Sequence, residues 1–307
     1  MTSHIAQLAS DALLRIKGPD ALTFLQGQTT ADTRELSEVR ALPGVYCTPQ
    51  GRVVCDFLLC TLNDDDYGLR MRASIRDHAA KVLSKYIVFS KAELIEDDSD
   101  WQCWGLWGDE TAQIVRKVFA ADTSQQFDCH RGDGYVLIQR DDQGSRFECL
   151  LHQRVAETLI STLREHSETR PEAAWQALDI ASGIARIEQE TIEEFVPQVL
   201  NFDLTGHISF TKGCYTGQEV VARLHYRGRS KRRSYLSSLT PNTDVSPGLP
   251  LYCQAQSAGH LVNHADGMAL VSATEQGMTS GMSLEPAGEP LLKLQNPPYP
   301  FPEGDQA

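Results

Sequence analysis

Lys212-Gly213-Cys214-Tyr215-Thr216-Gly217-Gln218-Glu219 is the stretch on which the reading of this chain turns. Thr216 followed three residues later by Glu219 forms a capping box, and the apolar run Val220, Val221, Ala222, Leu224 supplies the helix it would open. On that reading Cys214 sits two residues before the N-cap. There, free backbone N–H groups and the positive end of the helix dipole, with Lys212 close by, favour a thiolate or another bound anion. Gly213 and Gly217 let the backbone turn sharply and a ligand approach closely. Spacing alone keeps a second reading level with the first: a capped helix after a glycine turn with an inert, buried cysteine, since free cysteine is among the most buried residue types.

Downstream of this stretch the charge changes character. The whole chain has a net charge of −13, which argues against general nucleic-acid binding because a negative surface repels phosphates. Yet Lys212, Arg223, Arg227, Arg229, Lys231, Arg232 and Arg233 face a single acid, Glu219, with His225 and Tyr226 interleaved. Such a segment meets an anionic ligand, a phosphate backbone or a string of carboxylates, or else it is a solvated helix end whose cations complement the dipole. The eight cysteines are scattered without Cys-x-x-Cys or zinc-type spacing, so neither a metal framework nor disulfides are expected. No window approaches the ~18 consecutive apolar residues of a membrane span. The start Met1-Thr2-Ser3-His4 lacks the basic and apolar regions of a signal peptide, and a cytoplasmic protein is expected.

Upstream, strands and helices alternate. Ala12 to Ile16 reads as a strand and Asp20 to Gln26 as a helix; Val45 to Thr48 and Val53 to Leu62 read as strands around Pro49-Gln50-Gly51. Tyr67 to Arg72 pairs back, and Ile75 to Tyr86 has helical spacing. From Trp101 the order begins again: strand Trp101 to Trp107, helix Glu110 to Phe119, a strand pair Tyr135 to Arg140 and Arg146 to Leu151, helix Val155 to His166. Strand, helix, strand, strand, helix is the order of a split βαβ or ferredoxin-like unit, twice over, without a clear sequence repeat. A helix from Glu172 to Ile180 follows. Beyond about Ser234, short strands between Pro- and Gly-rich turns such as Pro241 and Pro247-Gly248 predict a small antiparallel barrel, and the Pro-rich tail from Asn296 an extended end. The expected class is α+β, with domains at 1–99 plus 172–233, 100–171 and 234–307.

The run KGCYTGQEVVAR at 212–223 resembles the signature of the folate-binding YgfZ proteins, relatives of the glycine-cleavage T-protein, an aminomethyltransferase. Phe24-Leu25-Gln26-Gly27-Gln28-Thr29-Thr30-Ala31-Asp32, Tyr86 to Lys91, and Trp175 through Pro197-Gln198, Asn201 and Ile208-Ser209-Phe210 resemble further blocks of that family. The resemblance implies two ferredoxin-like domains and a C-terminal barrel around a central channel that holds tetrahydrofolate or a derivative. It implies a role in making or maintaining iron–sulfur enzymes and in modifying certain tRNAs, with Cys214 and Lys212 as catalytic residues.

Carried over in the same way, Trp175 would stack on the folate, and Arg186-Ile187-Glu188 matches the Arg-x-Glu whose glutamate grips the pterin. Tyr215 and Gln218 join the cofactor site. Two positions depart from the pattern: Asp11 stands where some members carry tryptophan, and Gly51-Arg52-Val53-Val54-Cys55-Asp56 keeps one acid of the T-protein's pair, Asp56. An accessory protein is therefore expected ahead of the alternative, a folate-dependent aminomethyltransferase with Asp56 as base. Its partners would be folate and iron–sulfur enzymes or assembly proteins. The basic segment is assigned to the polyglutamate tail of folate or a protein partner, with direct tRNA binding not expected.

Overall fold

A computed structural model of the chain describes residues 2–95, 100–228, 230–240 and 243–302. Arg229 of the basic run, Pro241 of the C-terminal turns and the tail beyond residue 302 lie outside the described residues. The chain forms two compact units, one of Met1–Gly27, Ala31–Gly44 and Phe57–Glu172, the other of Gln28–Thr30, Val45–Asp56 and Ala173–Ala307.

The first unit is built from β1 (His4–Gln7), β2 (Asp11–Lys17), α1 (Ala21–Gln28), β3 (Leu42–Cys47), β4 (Val53–Asn63), β5 (Asp66–Arg72), α2 (Ala73–Ile87) and β6 (Glu93–Ile95). It continues through β7 (Trp101–Trp107), α3 (Thr111–Phe119), β8 (Cys129–Gly132), β9 (Tyr135–Gln139), β10 (Arg146–His152), α4 (Gln153–Arg164) and β11 (Glu168–Thr169). Parts of β3, β4 and α1 belong to the second unit. The strands form two sheets, ordered β3-β4-β5-β2-β6 and β11-β1-β7-β10-β9-β8.

The run β4-β5-β2 of the first sheet is matched by β9-β10-β7 of the second. Where β6 flanks β2, the N-terminal β1 flanks β7, antiparallel from His4↔Trp107 to Gln7↔Trp104. Two glycines show the same equivalence. Gly18, after β2, and Gly108, after β7, both have φ +128. A Cβ on the first would lie 2.4 Å from the Lys91 carbonyl, just ahead of β6, and on the second 2.5 Å from the Thr2 carbonyl, just ahead of β1. Both glycines permit the same close crossing of strand exit and neighbouring strand entry.

Helical spacing supplies the core. α2 buries Ile75, Ala79, Leu83 and Ile87 at four-residue intervals. Ile114, Val115 and Phe119 of α3 and Ala156, Ile160 and Leu163 of α4 close over Leu106, Leu137, Phe147 and Leu151. Through this apolar interior runs a charged cluster. The fully buried Glu148 meets Arg70 at 2.6 Å and Arg140 at 2.7 Å, while Asp11 meets Arg72 at 3.1 Å and Arg70 at 3.7 Å. Asp11 is thus an inner link of an ionic chain between strands, joining Arg72 to Arg70.

The second unit adds α5 (Glu172–Ala181), 3-10 turns at Gln189–Thr191 and Pro197–Leu200, α6 (Gln218–Arg227), β12 (Arg233–Ser238), β13 (Pro250–Cys253), β14 (Gln256–Ala265), β15 (Met268–Ala273) and α7 (Glu275–Ser280). Its sheet is antiparallel and open, in the order β12-β15-β14-β13. The barrel expected beyond Ser234 is corrected accordingly, since no closed barrel occurs among the described residues. The segment that follows α7 makes only isolated bridges, Tyr252↔Ser283, Met282↔Leu292 and Leu236↔Gln295. Pro286 and Pro290 lie within it and offer no N–H for a continuous ladder.

Two outcomes are expected. Glu148→Ala leaves two buried guanidinium groups without their shared carboxylate and should lower stability by about 3–5 kcal/mol, read as a shifted urea midpoint at constant slope. Hydrogen bonds from Arg34 hold the Asp32 carboxyl down from 3.8 to about 2. A depressed carboxyl stabilises the fold above its unfolded pKa and stops doing so as pH falls through its folded one. The melting difference between wild type and Asp32→Asn should therefore shrink as pH falls from about 4 towards 2.

Candidate functional site

Asp56, 2% exposed, lies where β4 leaves the second unit. One carboxylate oxygen accepts from Arg186 Nε at 2.7 Å and the other from the Ile187 backbone N–H at 2.7 Å. Arg186 also approaches Asp179, on α5, at 3.9 Å. Asn263 of β14 clasps the same segment: its Oδ1 accepts from the Arg186 backbone N–H at 2.8 Å and its Nδ2 donates to the Arg186 carbonyl at 3.0 Å. These bonds fix the segment leading to Glu188, which is half-buried and caps the 3-10 turn Gln189–Thr191, its backbone N–H donating to Thr191 Oγ1 at 3.0 Å. Arg186 is thereby a buried, ion-paired anchor. Trp175, one turn before Asp179 on α5, is 2% exposed and packs as a core side chain.

The stretch 212–219 forms a second group. Lys212 is 5% exposed, its Nζ donating to the Thr29 carbonyl at 2.6 Å and standing 5.2 Å from the centre of the Tyr215 ring. Tyr215 is also buried, and burial, with Cys47 nearby, pushes its hydroxyl pKa up. Gly213 and Cys214, between these two inward anchors, are exposed. Thr30 supports the same region, its Oγ1 donating to the His207 carbonyl at 2.6 Å and accepting from the Val45 N–H at 2.9 Å.

The capping box read from Thr216 and Glu219 does not form. α6 begins at Gln218, and its N-cap is Gly217 at φ +84, with no side-chain cap. Thr216 Oγ1 instead donates to Gln28 Oε1 at 3.1 Å. Close packing decides this, because a Cβ on Gly217 would lie 2.5 Å from the Thr48 carbonyl, and one on Gly51 2.8 Å from Val220 Cβ. The turn ahead of α6 is wedged against the hairpin Thr48–Arg52, and only glycine fits the contact and the left-handed backbone. Cys214 thus stands three residues before the N-cap. Gln218 occupies the first position of the helix and is half-buried.

The structure therefore gathers Lys212, Cys214, Tyr215 and Gln218 in one turn, and Arg186 with Glu188 in a second segment braced from α5. Asn263 was not read from the sequence as part of this. Its signal was a lone amide directly after the apolar pair Leu261-Val262 in a strand, since a buried strand amide must find partners. The cysteines separate sharply. Cys214 is exposed and the other seven are buried. Burial pushes the Cys47 and Cys129 thiols up to about 12, and those of Cys55, Cys60 and Cys149 higher still. The inert buried cysteine that spacing allowed at 214 is thus excluded by exposure.

The family model of the GCVT N-terminal domain matches residues 6–131. The tRNA-modifying protein YgfZ of Escherichia fergusonii is 32% identical over 225 residues, 73% of this chain and 68% of that protein. Its namesake in Klebsiella pneumoniae is 33% identical over 229 residues, 75% of this chain and 69% of that one. Among solved structures, the glycine cleavage system aminomethyltransferase T from Bartonella henselae superposes with a TM-score of 0.73 over 92% of this chain and 81% of that one. At 14% sequence identity that match shows a shared fold.

A thiol-specific chromophoric disulfide should react quickly with one thiol per native chain and with all eight after denaturation. The fast phase should be missing from Cys214→Ser. A fast phase of several thiols would contradict the burial described.

Proposed function

This chain belongs to the YgfZ family, and we propose that it binds tetrahydrofolate and supports the assembly or repair of iron–sulfur enzymes in the cytoplasm. Through them it would support modification of some tRNAs, with Cys214 as the working residue. The observation that carries this reading is the presentation of Cys214, the exposed thiol among eight, between the buried anchors Lys212 and Tyr215. An exposed thiol is available as nucleophile or metal ligand, whereas the buried ones are not.

The names of the relatives supply the link to tRNA modification. The resemblance supplies the folate, together with two ferredoxin-like domains around a folate channel, and the three-part division at 99, 171 and 233 follows the order of elements along the chain. Residues of this chain fit the cofactor chemically. Glu188, at the end of a segment fixed by Asp56 and Asn263, offers a carboxylate suited to the paired N–H donors of a pterin edge. Trp175, buried on α5, is the indole that the resemblance would set against the folate ring. Tyr215 and Gln218 complete the proposed contacts, with Arg186 holding Glu188 in position.

The aminomethyltransferase alternative has less support. It needs Asp56 as a base, and both Asp56 oxygens already accept short hydrogen bonds from Arg186 and Ile187. Among the described residues no helix is long and apolar enough to cross a membrane.

Titration with tetrahydrofolate, followed by tryptophan fluorescence or calorimetry, should give saturable binding to the wild type. Glu188→Ala should weaken it by roughly 10- to 150-fold, the loss of a charged hydrogen bond worth about 1.5–3 kcal/mol. Trp175→Ala, followed by calorimetry, should weaken it too. Cys214→Ser should bind folate normally and yet fail to restore function in a strain that depends on this protein. Full restoration by Cys214→Ser would remove the thiol from the function.

A further inference from the structure

Around the last turn of α6 stands a group of side chains that neither the folate nor the thiol uses. Phe210 and His225 stack with ring centres 3.6 Å apart and planes at 13°. Tyr226 stands nearly perpendicular to both, at 77° to Phe210 and 82° to His225, and is 67% exposed. Together the three rings make an open corner with two walls.

Helical spacing explains its setting. Val221 is buried and turns one side of α6 inward, while Arg223, Tyr226 and Arg227, at i, i+3 and i+4, share the opposite face. Among the described residues Arg223, Arg227 and Lys231 form no ion pair, even though Glu219 lies one turn before Arg223.

A second cationic feature follows along the chain. Arg232, after Lys231, lines a pocket of about 270 Å³ together with Arg52, His260 and Ser272, and Glu194 is the acid in its wall. Arg52 donates to the Glu194 backbone carbonyl, and Arg232 lies 3.4 Å from the Ser257 carbonyl; neither meets a carboxylate among the described residues. Nδ1 of His260 is buried without a hydrogen-bond partner. Gly51, next to Arg52, packs on Val220 and so ties the rim of this pocket to α6.

In a chain of net charge −13, guanidinium groups that form no ion pair among the described residues, beside the exposed rings of His225 and Tyr226, fit a partner that supplies both anions and planar faces. We propose that this face binds single-stranded RNA. Bases stack in the corner of His225 and Tyr226, Arg223 and Arg227 meet the flanking phosphates, and the pocket of Arg52 and Arg232 takes a further phosphate. An acidic peptide would satisfy the cations and leave the rings unused. The choice of RNA rests on the tRNA-linked reading above, whereas the aromatic and cationic face stands independently of it.

The test is fluorescence anisotropy with the full chain at low salt, using a labelled single-stranded oligoribonucleotide and, separately, a bulk tRNA preparation. Saturable binding is expected, with log K falling against log salt by about 0.7 per phosphate neutralised. Tyr226→Ala should weaken binding roughly 5- to 150-fold, the range for one lost stacking contact. Arg223→Gln with Arg227→Gln, and separately Arg232→Gln, should flatten the salt slope. These side chains lie at the surface, so unchanged melting curves would exclude misfolding as the cause. No binding at low salt would overturn the proposal, as would binding that Tyr226→Ala and the double arginine variant leave intact. Displacement of the RNA by polyglutamate at equal charge would overturn it in favour of an acidic chain. Failure here with folate titration intact would reject the RNA face and leave the folate reading standing.

Discussion

The carboxylate of Asp56 is the constraint on which the second unit depends. Buried in a strand, it cannot remain there unpaired, and the chain meets the requirement by bringing Arg186 and the Ile187 N–H to its two oxygens. That choice fixes the exit from α5, because Arg186 also approaches Asp179, and fixes the approach to β14, because Asn263 takes both backbone groups of Arg186. Glu188 inherits its position from these bonds. Removal of either partner would strand a charge in the interior, which explains how an irregular segment without helix or strand is held in place.

The turn around Cys214 is held by a different means. Lys212 and Tyr215 fold inward, and the two residues between them are left outside. Glycine contacts then pin both ends of the next step, Gly217 on the Thr48 carbonyl and Gly51 on Val220. Lys212 donates to a backbone carbonyl and stands against a ring face, contacts that hold this end of the turn. Function and stability divide along this short stretch, with buried residues holding it and an exposed one available to react.

Much of the fold was legible because its elements are long and periodic. Trp101–Trp107 was bounded correctly from sequence, and the helices read at Ile75 to Tyr86 and Val155 to His166 were found as Ala73–Ile87 and Gln153–Arg164. What escaped is non-local. β1 is four residues long, too short to show a period, and its partner lies a hundred residues on in β7. Its equivalence to β6 is visible only through the crossing glycines. The capping box failed because Thr216 found a better acceptor in Gln28, a residue distant in the chain, and because a glycine was required where a capping side chain would stand. Of the candidate site, Cys214 was singled out by its motif, but its exposure and the contacts of Asn263 depend on burial, which one sequence does not display.

The most direct measurement is the rate at which Cys214 reacts with a thiol reagent in the presence and absence of saturating tetrahydrofolate. If folate and thiol serve one function from one site, bound folate should change that rate severalfold, and Glu188→Ala should shift the folate concentration needed. A rate indifferent to tetrahydrofolate, at concentrations where binding is established independently, would separate the two and contradict the account.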